Sequence, residues 1–291
     1  MDKQNDQTSS PFLPMFETFR AELDEHHDRR ERIVKASRDI TAASKKIIFT
    51  LQRVRQVNHS LHASVTKQNQ QHWTNITNAY TGVTSDLQSP NTYRYARNIT
   101  GGNQEYMEAL SFQHYLETQS LITFSEAQQR LSELTDQSTP ITLSLEDYLL
   151  GIFDMTGELM RFAITSIATS QTLPGSTLPP TNSKPQLQPQ PTHTSLSSED
   201  TSIQMDIDTT STPPRRRDVL TDLRTLRAAF EALNIEHGTY LYSDVQKKMD
   251  VMQQSVEKVE KALYGMVVRG SERPKGWMPD MEARRGEVET F

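Results

Sequence analysis

The chain of 291 residues has a net charge of −6 and contains no cysteine. The lack of cysteine excludes disulfides and thiolate metal sites and is typical of a reducing compartment, so we expect a cytoplasmic and nuclear protein. No apolar run reaches the length of a membrane-spanning helix and the first residues lack a secretory pattern, so no membrane association is expected. The acidic balance argues against coating nucleic acid through bulk charge. It leaves room for a local basic surface or for a partner that supplies positive charge.

Apolar residues recur at helical spacing through the first half of the chain. Residues 15–57 predict one long helix, since neither Pro nor Gly interrupts the pattern. Residues 61–80 predict a second helix, and Pro90 marks a break. Residues 93–121 predict a third helix, although it contains the pair Gly101-Gly102.

The second half continues the helical pattern. Ser125 is expected to cap a short helix that ends near residue 134, and the segment 145–168 predicts the most apolar helix of the chain. Two further helices are predicted over residues 219–233 and 240–268. No segment alternates convincingly enough for a strand. We therefore predict an all-α bundle of six to seven helices with a long N-terminal helix.

The composition changes sharply between these two sets of helices. Residues 170–214 hold eight of the fourteen prolines, among many Ser, Thr and Gln. Such a segment cannot bury enough apolar surface to offset its ordering entropy. We interpret 170–217 as a disordered insertion within a single helical domain at 13–270; a simple linker is the alternative. Residues 1–12 are expected to be disordered and residues 271–291 to form an irregular tail.

Two pairs of acidic residues stand at helical spacing in otherwise core-like segments. Glu105 and Glu108 occupy one predicted helix, and Asp154 and Glu158 another. Residues three or four apart share a helix face, and carboxylates among apolar neighbours are costly to bury without a positive partner. A divalent metal that serves phosphodiester chemistry is one such partner; solvated acids or salt bridges to Arg161 or to lysines are the alternative. Gly157, placed inside the helix, further indicates close approach of another backbone or of a metal shell.

Four segments of the sequence resemble one known family. They are FRAELDEHHDRRERIVKASRDITAASKKIIFTLQR, GGNQEYMEALSFQHYLETQSLIT, LEDYLLGIFDMTGELMRFAITSI and VEKVEKALYGMVVRGSERPK. In this order they are similar to the translin-associated factor X (TRAX) branch of the translin superfamily. The stretch 170–214 has no counterpart in that resemblance. The family fold, an all-helical bundle, agrees with the prediction from periodicity.

The resemblance implies a function. TRAX pairs with translin in a hetero-oligomeric barrel that acts as an endoribonuclease on single-stranded or nicked RNA, and TRAX is the catalytic subunit. By this resemblance Glu108, Asp154 and Glu158 are expected to bind Mg²⁺, with Mn²⁺ as an alternative ion, and Glu105 to act as a ligand or a base. Translin lacks the full set of four acids, so their presence favours TRAX. Small-RNA or tRNA processing is the expected class of reaction, and single-stranded DNA is a further candidate ligand.

An anionic substrate requires cationic contacts, and the long N-terminal helix offers them. Residues 20–57 contain ten Lys or Arg against six acids. Arg32, Lys35 and Arg38 recur every three residues and are predicted to line an RNA path, with Arg94 and Arg97 nearer the acids. A plain solvated helix face is the alternative for each of these. His114 is a weaker candidate for RNA contact or proton transfer.

Three other functions compete with catalysis. A di-iron carboxylate bundle would need Glu-x-x-His motifs, which the chain lacks. A long coiled coil would need sustained heptads, which the N-terminal helix also lacks. A non-catalytic subunit that stabilises translin would make the four acids dispensable. A translin-binding surface is predicted from Phe12, Phe16, Phe19, Tyr240, Tyr242 and the apolar stripe 249–266, which could instead form the core.

Overall fold

The computed structural model describes residues 11–135, 141–175 and 217–269, and all regular structure within them is helical. The predicted terminal segments and the 170–217 insertion fall almost entirely outside these ranges, so the proposed domain division stays a prediction. The all-α class is confirmed. The described residues form eight α-helices: α1 Leu13–Leu51, α2 Ala63–Val83, α3 Pro90–Arg94, α4 Ala96–Thr118, α5 Phe124–Glu133, α6 Leu145–Ser170, α7 Val219–Glu231 and α8 Tyr240–Arg269.

The main differences from the sequence prediction lie at three places along the chain. The helix α1 ends at Leu51, six residues early. The predicted third helix divides into α3 and α4 at Tyr95, where φ is −105° and ψ is 7°, and this division adds the eighth helix. The cap of α5 is Thr123 rather than Ser125: its hydroxyl accepts from the backbone N–H of Glu126, whose carboxylate accepts from the backbone N–H of Thr123. This reciprocal capping box satisfies two donors that the helix itself leaves free.

The helices pack side by side in the order α1, α4, α6, α8. The helix α2 covers α1, and α7 lies against α6 and α8. The helices α1 and α4 run in the same direction, since Ser37 contacts Gly102 and, further along, the N–H of Asn58 donates to the Leu116 carbonyl. The helices α4 and α6 also run in parallel, because Phe112 meets Phe162 downstream of the contact at Gly151. The central position of α4 sets the geometry of its acids.

Two glycines allow α4 to approach its neighbours closely. A Cβ added to Gly102 would lie 3.0 Å from the backbone of Ser37 on α1. A Cβ added to Gly151 on α6 would lie 2.5 Å from the Met107 Cβ and 2.9 Å from the Gln104 carbonyl oxygen on α4. Real Cβ atoms do not come so close, so a larger residue at Gly151 would push α4 and α6 apart.

The apolar stripe of α8 belongs mainly to the core. Met252, Val256 and Val259 are at most 1% exposed. The prediction that this stripe forms a partner surface is therefore wrong for its central residues, because α6 and α7 already cover them. The N-terminal turns of α1 differ: Phe16, Phe19 and Leu23 are each at least half exposed. Within the described residues, no helix combines the length and apolarity needed to cross a membrane.

Candidate active site

The four predicted acids meet in one cavity of about 770 Å³ between α1, α4, α6 and α8. Glu105 and Glu108 enter it from α4, and Asp154 and Glu158 enter it from α6. Their spacing of three and four residues keeps each pair on one helix face, and the close packing of α4 on α6 brings the pairs together. The other lining residues are Lys45, Ile48, Phe49, Gln52, Phe153, Gly157, Arg161, Lys248 and Val251.

The two acids of α4 have different surroundings. Glu105 Oε1 lies 3.0 Å from Lys45 Nζ, whereas its Oε2 is buried and has no hydrogen-bond partner among the described residues. Glu108 forms no ion pair with any described residue. Burial, reinforced by the charges of the other three acids and opposed by Lys248, raises the pKa of Glu108 to about 8. Glu108 is therefore the acid of this site that most lacks a compensating positive charge.

The acids of α6 are each held by a neighbour. Lys248 of α8 donates to both carboxylate oxygens of Asp154. Glu158 Oε1 lies 3.5 Å from Arg161 Nη1, and its Oε2 accepts from Gln52 Nε2 at 2.7 Å. The Gln52 amide also donates to the backbone carbonyl of Glu158 at 2.9 Å, which ties the end of α1 to α6.

The charges of the cavity do not balance. Four carboxylates face three cationic side chains, Lys45, Arg161 and Lys248, which leaves one negative charge when all are ionised. Carboxylate oxygens are the ligands that Mg²⁺ prefers, so the donor set fits such an ion. Nevertheless, among the described residues no three acidic or histidine side chains converge as a metal-binding group requires. Lys45 and Lys248 already pair with Glu105 and Asp154, so a bound cation would have to compete with these two ammonium groups.

Gly157 lines this cavity but does not serve close packing. A Cβ added there would meet no atom within 4 Å. The interpretation that another backbone approaches Gly157 is therefore wrong; Gly151, six residues earlier on α6, makes the close helix contact instead.

The structure distributes the predicted RNA-binding residues over several environments. Lys35 and Arg38 are exposed on α1 and have no ion-pair partner among the described residues. Arg38 precedes Lys45 by seven residues, so it lies on the same face about 10 Å away along the helix. Arg32 instead forms a bidentate pair with the buried carboxylate of Asp86, at 2.8 Å for both contacts.

The remaining candidates lie away from the four acids. Arg94 Nη1 lies 3.1 Å from His26 Nε2, and the Arg97 guanidinium lies 4.8 Å from the centre of the Tyr240 ring. Arg97 and Tyr240 line a separate cavity of about 800 Å³. His114 Nε2 lies 3.1 Å from the Ser120 hydroxyl near the end of α4, and His114 does not line the acidic cavity.

Two residues of the site could not be identified from sequence. Lys248 meets Asp154 across 94 positions of the chain, and Gln52 meets Glu158 across 106. Neither lies in a local pattern that indicates a charged site. Lys45 belongs to the basic stretch of α1, but its pairing with Glu105 depends on the packing of α1 on α4.

These features define an all-helical bundle with an acidic cavity between its central helices. A model of the translin family matches residues 28–270. The Translin-associated protein X of Mus musculus is 31% identical over 94% of this chain and 84% of its own length. The Translin of the same species is 21% identical, over 84% of this chain and 87% of its own. The chain belongs to the translin family, and of these two relatives it is more similar to TRAX.

Solved structures agree with this assignment at the level of the fold. The crystal structure of apo-NeC3PO superposes with a TM-score of 0.56 and 16% identity, covering 88% of this chain and 98% of that chain. AfC3PO in complex with duplex RNA superposes with a TM-score of 0.51 and 15% identity, covering 89% of this chain and 100% of the other. The predicted translin-like bundle is thereby confirmed.

Proposed function

We propose that this chain is the catalytic subunit of a complex with translin, a Mg²⁺-dependent endoribonuclease that hydrolyses single-stranded or nicked RNA. The observation that carries the proposal is the meeting of Glu105, Glu108, Asp154 and Glu158 in one cavity. Family membership supports it, because the resemblance to TRAX implies this activity and these acids. A relative of the same fold whose structure contains duplex RNA supports RNA as the ligand.

The donor set suggests how the work is divided. Glu108, Asp154 and Glu158 would hold Mg²⁺, or Mn²⁺ in its place, and Glu105 would act as a further ligand or as the base that orients the attacking water. The bound ion would supply a water of lowered pKa and neutralise charge on the phosphoryl oxygens. If the acids held the ion, Lys45 and Lys248 would no longer pair with them and their ammonium groups could pair with phosphate oxygens in the same cavity.

The surface for translin is proposed on the first turns of α1. Phe16, Phe19 and Leu23 recur at spacings that place them along one side of the helix, and each exposes at least half of its side chain. A row of large exposed apolar side chains on one side of a helix is typical of a protein–protein contact. Residence in both cytoplasm and nucleus remains part of the proposal.

The proposal is tested by co-expressing the full chain with translin and measuring cleavage of a labelled single-stranded RNA with Mg²⁺. Asp154→Asn and Glu108→Gln should each abolish cleavage and leave the size of the complex unchanged. Glu257→Gln, which alters an acid paired with Lys261 on the surface of α8, should cleave at the wild-type rate. Full cleavage by both site variants would refute the assignment.

One observation favours a second function. The pairing of Glu105 with Lys45 and of Asp154 with Lys248 is also what a purely structural charge cluster would show. In that case the chain would be a non-catalytic subunit that binds RNA or DNA and stabilises translin. The same experiment separates the two functions, because the wild-type complex would then bind RNA without cutting it.

A further inference from the structure

Phe49 is a large apolar side chain at an unexpected place. Its neighbours in sequence, Ile48 and Thr50, are buried where α1 packs against the rest of the bundle, whereas Phe49 itself is 66% exposed. It stands at the mouth of the acidic cavity, one helical turn after Lys45. The Arg53 guanidinium lies 5.2 Å from the centre of the Phe49 ring. An exposed aromatic ring with a stacked guanidinium is a typical platform for an unpaired base.

The same ring borders a second, smaller cavity of about 250 Å³. Lys45 and Phe49 line both cavities, so the two spaces adjoin. The remaining lining of the smaller cavity is polar and comes from α1 and α2: Lys46, Thr50, Gln68 and His72. The cavity therefore offers an aromatic face and positive charge together with amide and imidazole groups.

His72 is the most distinctive of these groups. Its Nδ1 atom is buried and has no hydrogen-bond partner among the described residues. Burial, with a smaller contribution from the charge of Lys46, lowers the pKa of His72, so the ring is neutral at pH 7. A neutral imidazole has one donor and one acceptor nitrogen, which suits the mixed edge of a nucleobase. His72 is only partly buried and lines the cavity beside the exposed Gln68, so a ligand in the cavity can reach its ring.

We propose that the smaller cavity is a nucleobase subsite of the RNA path. The base stacks on Phe49, its polar edge faces Gln68 and His72, and the adjoining phosphate lies near Lys45 and the four acids. Stacking tolerates every base, whereas the amide and imidazole provide a preference among bases. The choice of RNA as the ligand rests on the proposed function; the subsite itself rests on the exposed ring and on the adjoining cavity with its lysine, amide and imidazole side chains.

The test uses the full chain in complex with translin and without divalent metal, so that binding is measured apart from cleavage. The probe is a short oligoribonucleotide that carries one 2-aminopurine, whose fluorescence is quenched by stacking on an aromatic ring. Wild type should quench the probe. Phe49→Leu should lose the quenching and bind about tenfold more weakly, as expected for the loss of one base–aromatic stack, whereas Phe49→Trp should retain both. Tyr93→Leu, which alters a ring that is 87% exposed and lines neither cavity, should match wild type.

Two results would overturn the subsite. One is wild-type affinity and quenching by Phe49→Leu. The other is loss of the complex with translin in that variant, which would assign Phe49 to a protein interface. Cleavage with Mg²⁺ is measured separately on the same proteins. If quenching depends on Phe49 but the complex never cuts RNA, the catalytic proposal is refuted and the subsite stands. If the complex cuts RNA but the Phe49 variants bind and quench like wild type, the subsite is refuted and the catalytic proposal stands.

Discussion

Replacing Lys248 by methionine tests whether the acidic cavity is a metal site that a lysine occupies. The Lys248 ammonium contacts both oxygens of Asp154, so a metal ion on Asp154 must displace it and then remain near its positive charge. Methionine keeps an unbranched side chain and removes the charge. We therefore predict that Lys248→Met binds Mg²⁺ or Mn²⁺ more tightly than wild type.

The size of the effect follows from the charges. Two unit charges about 4 Å apart interact by about 1 kcal/mol in water, so a divalent ion and one ammonium repel by about 2 kcal/mol. The water value is a lower limit, because the side chains of Lys248 and Asp154 are only 25% and 34% exposed and lie in a less polar medium than water. Removal of about 2 kcal/mol of repulsion corresponds to metal binding about 30-fold tighter.

The assay is titration of the full complex with Mn²⁺ followed by electron paramagnetic resonance, repeated with Mg²⁺ by calorimetry. Lys247→Met is the matched control, since Lys247 is the adjacent lysine and pairs with the exposed Asp244. It should leave the affinity unchanged. Equal or weaker metal binding by Lys248→Met than by Lys247→Met would refute the competition between lysine and metal.

Three further predictions concern the fold and the RNA path. Pairing with Arg32, and to a smaller extent with Arg29, lowers the pKa of Asp86. The pairing therefore stabilises the fold fully above about pH 4, and this stabilisation is lost as the pH falls further. The difference in melting temperature between wild type and Asp86→Asn should accordingly shrink from pH 5 to pH 3. Gly151→Ala should lower the free energy of unfolding by about 1–3 kcal/mol through overpacking, whereas Gly157→Ala should raise it by about 1 kcal/mol in denaturant titrations. Arg38→Gln should reduce the slope of log affinity for single-stranded RNA against log salt by about 0.7, and an unchanged slope would remove Arg38 from the RNA path.

The two glycine variants serve as controls for each other, because each adds one methyl group to α6 and only the surroundings of the methyl group differ. Equal destabilisation by the two would contradict the close contact assigned to Gly151. For Asp86, a melting-temperature difference that is constant over the acid range would show that its carboxylate does not contribute through charge. For Arg38, Lys261→Gln is a suitable control, since Lys261 pairs with Glu257 on the surface of α8.

The helices and the faces that carry the acids could be predicted from sequence, because periodicity and spacing are local properties. The cap of α5 was predicted at the wrong residue although its signal is local: Thr123, and not Ser125, precedes Glu126 by the three residues that a capping box requires. The residues that pair with the acids could not be predicted from sequence. Lys248 and Gln52 acquire their roles through tertiary packing, and nothing in their own sequence surroundings distinguishes them from other surface residues.

The roles predicted for single basic residues were limited by the same cause. Arg32, Lys35 and Arg38 are equivalent in the sequence, where they form one regular basic series. Packing separates them, since the short 3₁₀ turn Ser85–Leu87 places the buried Asp86 against Arg32 and leaves the other two without an ion-pair partner among the described residues. Charge spacing therefore indicates a basic surface, whereas the role of each basic residue depends on partners that are distant in sequence.

The close contacts at Gly102 and Gly151 have a consequence for how the cavity responds to sequence change. At Gly102 the backbone of α4 meets the backbone of α1, and at Gly151 the backbone of α6 meets a Cβ atom and a carbonyl oxygen of α4. Such atoms are shared by almost all amino acids and have no rotamers, so the spacing between the two acid-bearing helices does not depend on how distant core side chains repack. Backbone contacts thus fix the distance between the two pairs of acids. Core substitutions elsewhere can cost stability and still leave the carboxylates in register.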